Sequence, residues 1–126
     1  KIVAPFHPRT IESIKKYKIN LNFNVLPPVS YLEMLWLIDN SKIVLTDSGG
    51  LQKEAFFLKK VCLIAREETE WVELLRCGNS VLIGYDTNKI ISEYNKTRNF
   101  YSTPNLFGDG NSSEQIINSI INYSKT

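Results

Sequence analysis

Histidine is nearly missing from this chain, with His7 the only one in 126 residues. A metal site built from several histidines is therefore excluded. Cysteine is almost as scarce. Cys62 lies in an apolar run and Cys77 near the end of an amphipathic segment, without metal-ligand spacing. Both are expected to be buried thiols of a reducing compartment, so the cytoplasm is the expected location. No apolar run approaches the ~20 residues that a membrane-crossing helix needs, and no membrane partner is expected. Charge of one sign is missing too. Fifteen Lys and Arg against thirteen Asp and Glu leave a net charge of +2, with no basic stripe carrying interleaved aromatics. Nucleic acid is therefore not an expected partner. No secretory signal precedes Lys1, which stands directly inside an apparent strand. Such a start is expected of a piece of a larger protein.

The composition that is present is that of an ordinary globule, 43% hydrophobic and 22% charged. A chain of this size can bury roughly 68% of its unfolded surface, enough for one core. Five short apolar runs, at residues 2–6, 23–26, 43–46, 61–65 and 81–83, recur at intervals of about twenty residues. Amphipathic segments separate them. A helix is expected over 10–17 after Pro8, and another from the capping box Ser30-Tyr31-Leu32-Glu33 with Leu32, Leu35 and Trp36 on its packed face. Leu51, Ala55 and Leu58 mark a helix over 50–58, and Thr69 is placed to cap one over 70–76 that Gly78 ends. A helix over 89–96 follows. Ser112-Ser113-Glu114-Gln115 then reads as a second capping box before Ile116, Ile117, Ile120 and Ile121.

This alternation predicts an α/β fold with one Rossmann-like, doubly wound parallel sheet. The third and fourth runs are nearly all apolar, as expected of strands covered on both faces. The loops that follow the strands would then share one edge, where open α/β sheets hold ligands. Thr46-Asp47-Ser48-Gly49-Gly50-Leu51-Gln52-Lys53-Glu54-Ala55 is the most informative stretch. It reads as a strand, a tight turn and a helix start. Free backbone N–H groups at a helix start suit phosphate, and glycine lets an oxygen approach closely. Ser48 can cap the helix and offer its hydroxyl, while Glu54 lies one turn beyond Gly50. Arg66 and Glu70 fall on a neighbouring loop of the same edge. A diphosphate carrying a ribose would suit that set, since a carboxylate can accept ribose hydroxyls. A plain glycine turn with a serine cap is the simpler alternative. Arg66 can equally pair with Glu68 or Glu70, Trp36 and Trp71 are expected to pack, and Asp109 between glycines suits a turn.

Taken together, residues 45–55 resemble the signature of the non-hydrolysing UDP-N-acetylglucosamine 2-epimerases. Pro5-Phe6-His7-Pro8 resembles that family's proline–histidine segment, and Tyr31-Leu32 through Trp36 its uridine-side helix. Arg66 through Glu73 resembles its Arg-x-x-Thr-Glu-x-x-Glu segment, and Asn105-Leu106-Phe107-Gly108-Asp109-Gly110 its Asn-Pro-Tyr-Gly-Asp-Gly loop. The resemblance covers essentially the whole chain. It implies a two-domain GT-B-type fold, of which residues 1–126 are the C-terminal nucleotide-sugar-binding domain. The first βα unit of that domain and the N-terminal domain with its catalytic carboxylates would be absent. By position, Ser48, Gly49 and Gly50 would hold the diphosphate, Glu54 the ribose, and Arg66 and Glu70 further parts of the substrate. Val29 and Met34 would lie against uracil through backbone or shape, and His7 in an effector-binding or substrate-edge segment.

The family's ligand-binding arginine falls on Trp71, which cannot make a charge-assisted contact. The Thr69-Glu70-Trp71 form resembles relatives acting on UDP-diacetamido-uronic sugars. Either UDP-N-acetylglucosamine or such a uronic sugar is thus the implied substrate. A UDP-sugar glycosyltransferase domain and a non-enzymatic nucleotide-sugar-binding module are the alternatives. The resemblance requires no metal and no cofactor, and implies a homodimeric parent. The isolated chain, lacking catalytic carboxylates, is expected to be inactive.

Overall fold

The computed structural model describes residues 1–96 and 99–124. In chain order the elements are β1 (Val3–Pro5), α1 (Pro8–Lys16), β2 (Asn24–Leu26), α2 (Tyr31–Asp39), β3 (Val44–Thr46) and α3 (Gly49–Phe57). They continue with β4 (Cys62–Ile64), α4 (Val72–Arg76), β5 (Ser80–Leu82), α5 (Thr87–Asn95) and α6 (Ser112–Tyr123). The alternation read from the apolar runs is present throughout.

Helix starts follow local chemistry. The Ser30 hydroxyl accepts from the Glu33 N–H at 3.4 Å, and the Glu33 carboxylate accepts from the Ser30 N–H at 2.7 Å, so the first capping box forms. Pro8 sits inside α1, two residues earlier than expected. Its missing N–H costs nothing in a first turn, where no helical partner exists. The expected cap at Thr69 does not form; α4 begins only at Val72, because the Thr69 hydroxyl serves Trp71 and Gln52 instead. Gly78 does end that helix, at φ +77°, a conformation open to a residue without Cβ. The second capping box is also absent. A turn braced by Asp109 Oδ1 accepting from the Asn111 N–H brings the chain into α6 so that Ser112 is already its first helical residue.

All strand pairs are parallel, but the expected single sheet is resolved as two ladders. One joins β1 to β2, with Ala4 opposite Val25. The other runs β3-β4-β5, with Leu45 opposite Leu63 and Leu63 opposite Val81. β4, in the middle, is buried along its whole length. β3 is not covered on both faces as expected: Leu45 is 56% exposed. Val44 points into the core beside α3, and Leu45, its neighbour on the strand, points to the opposite face.

The core gathers Ile38, Val44, Ala55, Cys62 and Ile64, with Met34, Leu51, Leu58, Leu75 and Leu82 against it. Fully burying a side chain such as Ile64 contributes about 1.5–3 kcal/mol. Helix α2 packs on α3. It does so through Met34 and Ile38, while Leu32 and Trp36 are 75% and 65% exposed. The expected packed face is therefore corrected. Residues 34–38 are apolar without a break, so spacing alone cannot select the inward side. Four isoleucines of α6, Ile116, Ile117, Ile120 and Ile121, are exposed. No helix among the described residues is long and apolar enough to cross a membrane.

Candidate functional site

The loops after β3 and β4 meet at the start of α3. Ser48 takes the N-cap conformation, but its side chain makes no cap bond, which corrects the expected serine cap. Its N–H instead donates to Thr46 Oγ1 at 3.0 Å, which holds the turn shut on its strand side. The two glycines then part company. Gly50 is exposed, with only the Ser48 hydroxyl near the place a Cβ would take. Gly49 is covered: a Cβ there would overlap the Glu70 carboxylate and approach the Trp71 indole. Close approach of an oxygen to Gly49 is thus realised by the chain's own Glu70. The helix start is half roofed and half open.

The roof is built from the Arg66–Trp71 loop. Arg66 Nη1 donates to Glu70 Oε2 at 2.9 Å in an ion pair across four positions of this loop. The pairing that was the simpler alternative for Arg66 is therefore present, with Glu70 as its partner. The Glu70 carboxyl lies below its usual range through its own backbone N–H first and Arg66 next, partly opposed by burial. Trp71 Nε1 donates to the Gly49 carbonyl at 3.0 Å. Thr69 Oγ1 donates to Gln52 Oε1 at 2.6 Å and accepts the Trp71 N–H at 3.2 Å. Gly49 and Gln52 on α3, and Thr69 and Trp71 on the loop, thus form one closed circuit. Gln52 is fully buried, and its Nε2 has no partner among the described residues.

The 105–110 loop completes this corner. Phe107 packs edge-on against Trp71, at 6.1 Å between ring centroids, and against Phe56 and Phe57. Buried Asn79 anchors the same segment, its side-chain amide donating to the Tyr101 carbonyl and accepting the Tyr101 N–H, each at 2.8 Å. Asp109 is exposed and bonds within its own turn, so it acts as a turn former.

The structure therefore brings Ser48, Gly49, Gly50, Arg66, Glu70 and Trp71 together. Glu54 is half-buried one turn along α3. Val29 stands just before α2, and Met34 packs against the core, which leaves it shape rather than a free side chain to offer. His7 stands apart as the N-cap of α1, its Nδ1 accepting from the Arg9 N–H at 3.3 Å. Sequence reading missed Gln52, Lys53 and Phe107 at this corner. The signal for Gln52 was a polar residue on the apolar Leu51–Ala55 side of a helix. Phe107 carried none beyond its place in a glycine-rich loop. No group of three or more His, Cys, Asp or Glu that could hold a metal occurs among the described residues.

A parallel α/β layer with a glycine-flanked helix start open at its carboxyl edge defines a nucleotide-binding class of fold. Within that class, residues 1–121 match the family model described as UDP-N-acetylglucosamine 2-epimerase, and the chain belongs to that family. It is 44% identical over 117 residues to the UDP-2,3-diacetamido-2,3-dideoxy-D-glucuronate 2-epimerase of Pseudomonas aeruginosa, covering 91% of this chain and 33% of that protein. It is 38% identical over 134 residues to the UDP-N-acetylglucosamine 2-epimerase of Methanocaldococcus jannaschii, covering 98% of this chain and 36% of the relative. The crystal structure of the Methanocaldococcus jannaschii UDP-GlcNAc 2-epimerase in complex with UDP-GlcNAc and UDP superposes with a TM-score of 0.78, over 97% of this chain and 35% of that one. The chain thus spans about a third of the length of the relatives it matches.

Proposed function

We propose that this chain is the UDP-gripping part of a UDP-sugar 2-epimerase. The observation that carries the reading is the open Gly50 face at the start of α3, beside Arg66 and Glu54, in a chain of this family. At the Ser48-Gly49-Gly50 turn, Gly50 offers its open backbone and Ser48 its hydroxyl to the diphosphate, Gly49 keeps the turn narrow beneath Glu70, and Glu54 accepts the ribose hydroxyls. Arg66 and Glu70 border the sugar side. In this scheme a base removes the proton at C2 as UDP leaves from C1. The resulting glycal takes UDP back after a proton reaches the opposite face of C2. Donors aimed at the departing diphosphate stabilise its growing charge, and losing one such donor costs on the order of 10²–10³ in rate.

The base and acid for that reaction belong to polypeptide outside residues 1–126, including an N-terminal domain and the first βα unit of this one. Support for the missing unit comes from the split sheet. Among the described residues the parallel strands fall into two separate ladders, β1-β2 and β3-β4-β5, as a sheet lacking a strand would. The parent protein is read as a homodimer, and as cytoplasmic, in keeping with two free cysteines.

UDP-N-acetylglucosamine is the first substrate reading. A UDP-diacetamido-uronic sugar is the second, favoured by the 44% identity to an epimerase of that kind and by Trp71. Calorimetry with UDP tests the site. Binding that weakens at least tenfold on Gly50→Val and on Glu54→Ala supports it, and an unchanged affinity in both variants overturns it. Deuterium uptake at C2 from solvent, without any acceptor, separates epimerisation from glycosyl transfer in the full-length protein.

A further inference from the structure

Lys53 has no role in the reading so far, and its surroundings are unusual for a lysine. It lies on α3 one turn beyond Gly49, on the same helix face. Its Nζ stands 4.3 Å from the centroid of the Trp71 ring and 4.8 Å from that of Phe107. The two rings meet nearly at right angles, so the ammonium occupies the corner between them. Both distances lie well within the ~6 Å over which a ring face attracts a cation. Trp71 is in turn fixed by its bond to the Gly49 carbonyl. One indole therefore holds the cation and the phosphate turn in a set relation.

Carboxylates are available at this end of the molecule. Asp47, Glu54 and Glu70 all lie on α3, the turn before it or the adjoining loop, yet none comes within 4.0 Å of Lys53 Nζ among the described residues. Glu70 is committed to Arg66. A half-buried ammonium without a carboxylate partner carries a desolvation cost, and aromatic faces offset only part of it. An incoming anion would offset the rest.

We propose that Lys53, seated on Trp71 and Phe107, binds an anionic group of the sugar nucleotide. The proposal rests on the UDP-sugar reading above and adds to it the cation that uncharged Trp71 cannot supply. Two groups share the required chemistry, the diphosphate itself and a carboxylate on the sugar.

The test measures dissociation constants of UDP, UDP-N-acetylglucosamine and a UDP-diacetamido-glucuronate for the full-length protein and for its Lys53→Gln and Lys53→Arg variants. Loss of a charge-assisted contact weakens binding by about tenfold to a hundredfold, and arginine restores most of it. A loss shared by all three ligands identifies the diphosphate as the bound anion. A loss confined to the glucuronate identifies the sugar carboxylate. Lys53→Gln that binds all three as tightly as the parent overturns the proposal and leaves the UDP-sugar reading standing. A parent protein that binds none of the three overturns both.

Discussion

The indole N–H of Trp71 reaches across 3.0 Å to the carbonyl of Gly49, so a loop residue after β4 closes on the first turn of the helix after β3. Trp71→Phe keeps a ring beneath Lys53 and removes this donor. The Gly49 carbonyl loses this second donor and keeps only its helical bond, at a cost of about 1 kcal/mol. Urea denaturation is expected to show that loss, with a looser Gly49–Gly50 turn read from faster amide exchange at residues 48–50.

The Gln52–Thr69 bond predicts a non-additive pair. Thr69→Val leaves buried Gln52 with neither its oxygen nor its nitrogen paired and strips an acceptor from the Trp71 N–H. A loss of about 1–3 kcal/mol is expected. Gln52→Leu with Thr69→Val removes both sides of the unmet polar pair, and recovers most of that loss because matched apolar replacement is nearly neutral. Additive denaturation free energies across the two single variants and the double variant would count against this account.

Asn79 predicts a local effect. Its side chain meets both backbone groups of Tyr101, which pins the chain just after the strand-rich part of the fold. Asn79→Ala is expected to cost about 2 kcal/mol, from the loss of its two bonds to Tyr101 and a weaker one to the Cys77 sulfur at a fully buried position. Limited proteolysis should then cut first between residues 99 and 111, where the parent resists.

Cys62 predicts a pH dependence. Burial pushes its thiol up to about 12, from an ordinary value of 9.0. Its folded form therefore holds the proton that the unfolded form releases. The stability this reflects is complete below about pH 9 and is lost as pH climbs toward 12. Native protein at pH 8 should leave Cys62 unalkylated, with labelling only on unfolding. Rapid labelling of Cys62 in the folded state would contradict the burial.

Much of the fold was legible because strands and helices announce themselves locally. The apolar runs at 43–46 and 61–65 became β3 and β4 in parallel register, and Ser30 with Glu33 formed the cap that their spacing required. Leu51, Ala55 and Leu58 faced the core. Local signals failed where one side chain had two possible partners. Thr69 and Ser48 both looked like helix caps. Thr69 bonded instead to Gln52, seventeen positions away in sequence, and Ser48 was held through its backbone by Thr46. Trp36 failed as a packing residue because α2 is apolar on several sides and only its neighbour α3 chose among them.

The chain's order of residues alone determined that a glycine-flanked helix start would follow a parallel strand. Periodicity, capping and the conformational freedom of glycine act over a few residues and need no distant partner. What tertiary structure decided was which of two adjacent glycines stays open. Gly49 is roofed by Glu70 and Trp71, which lie some twenty residues further on, while Gly50 is left to solvent. That choice depends on how β4 delivers its loop across the end of α3, a packing relation that no short window of residues contains.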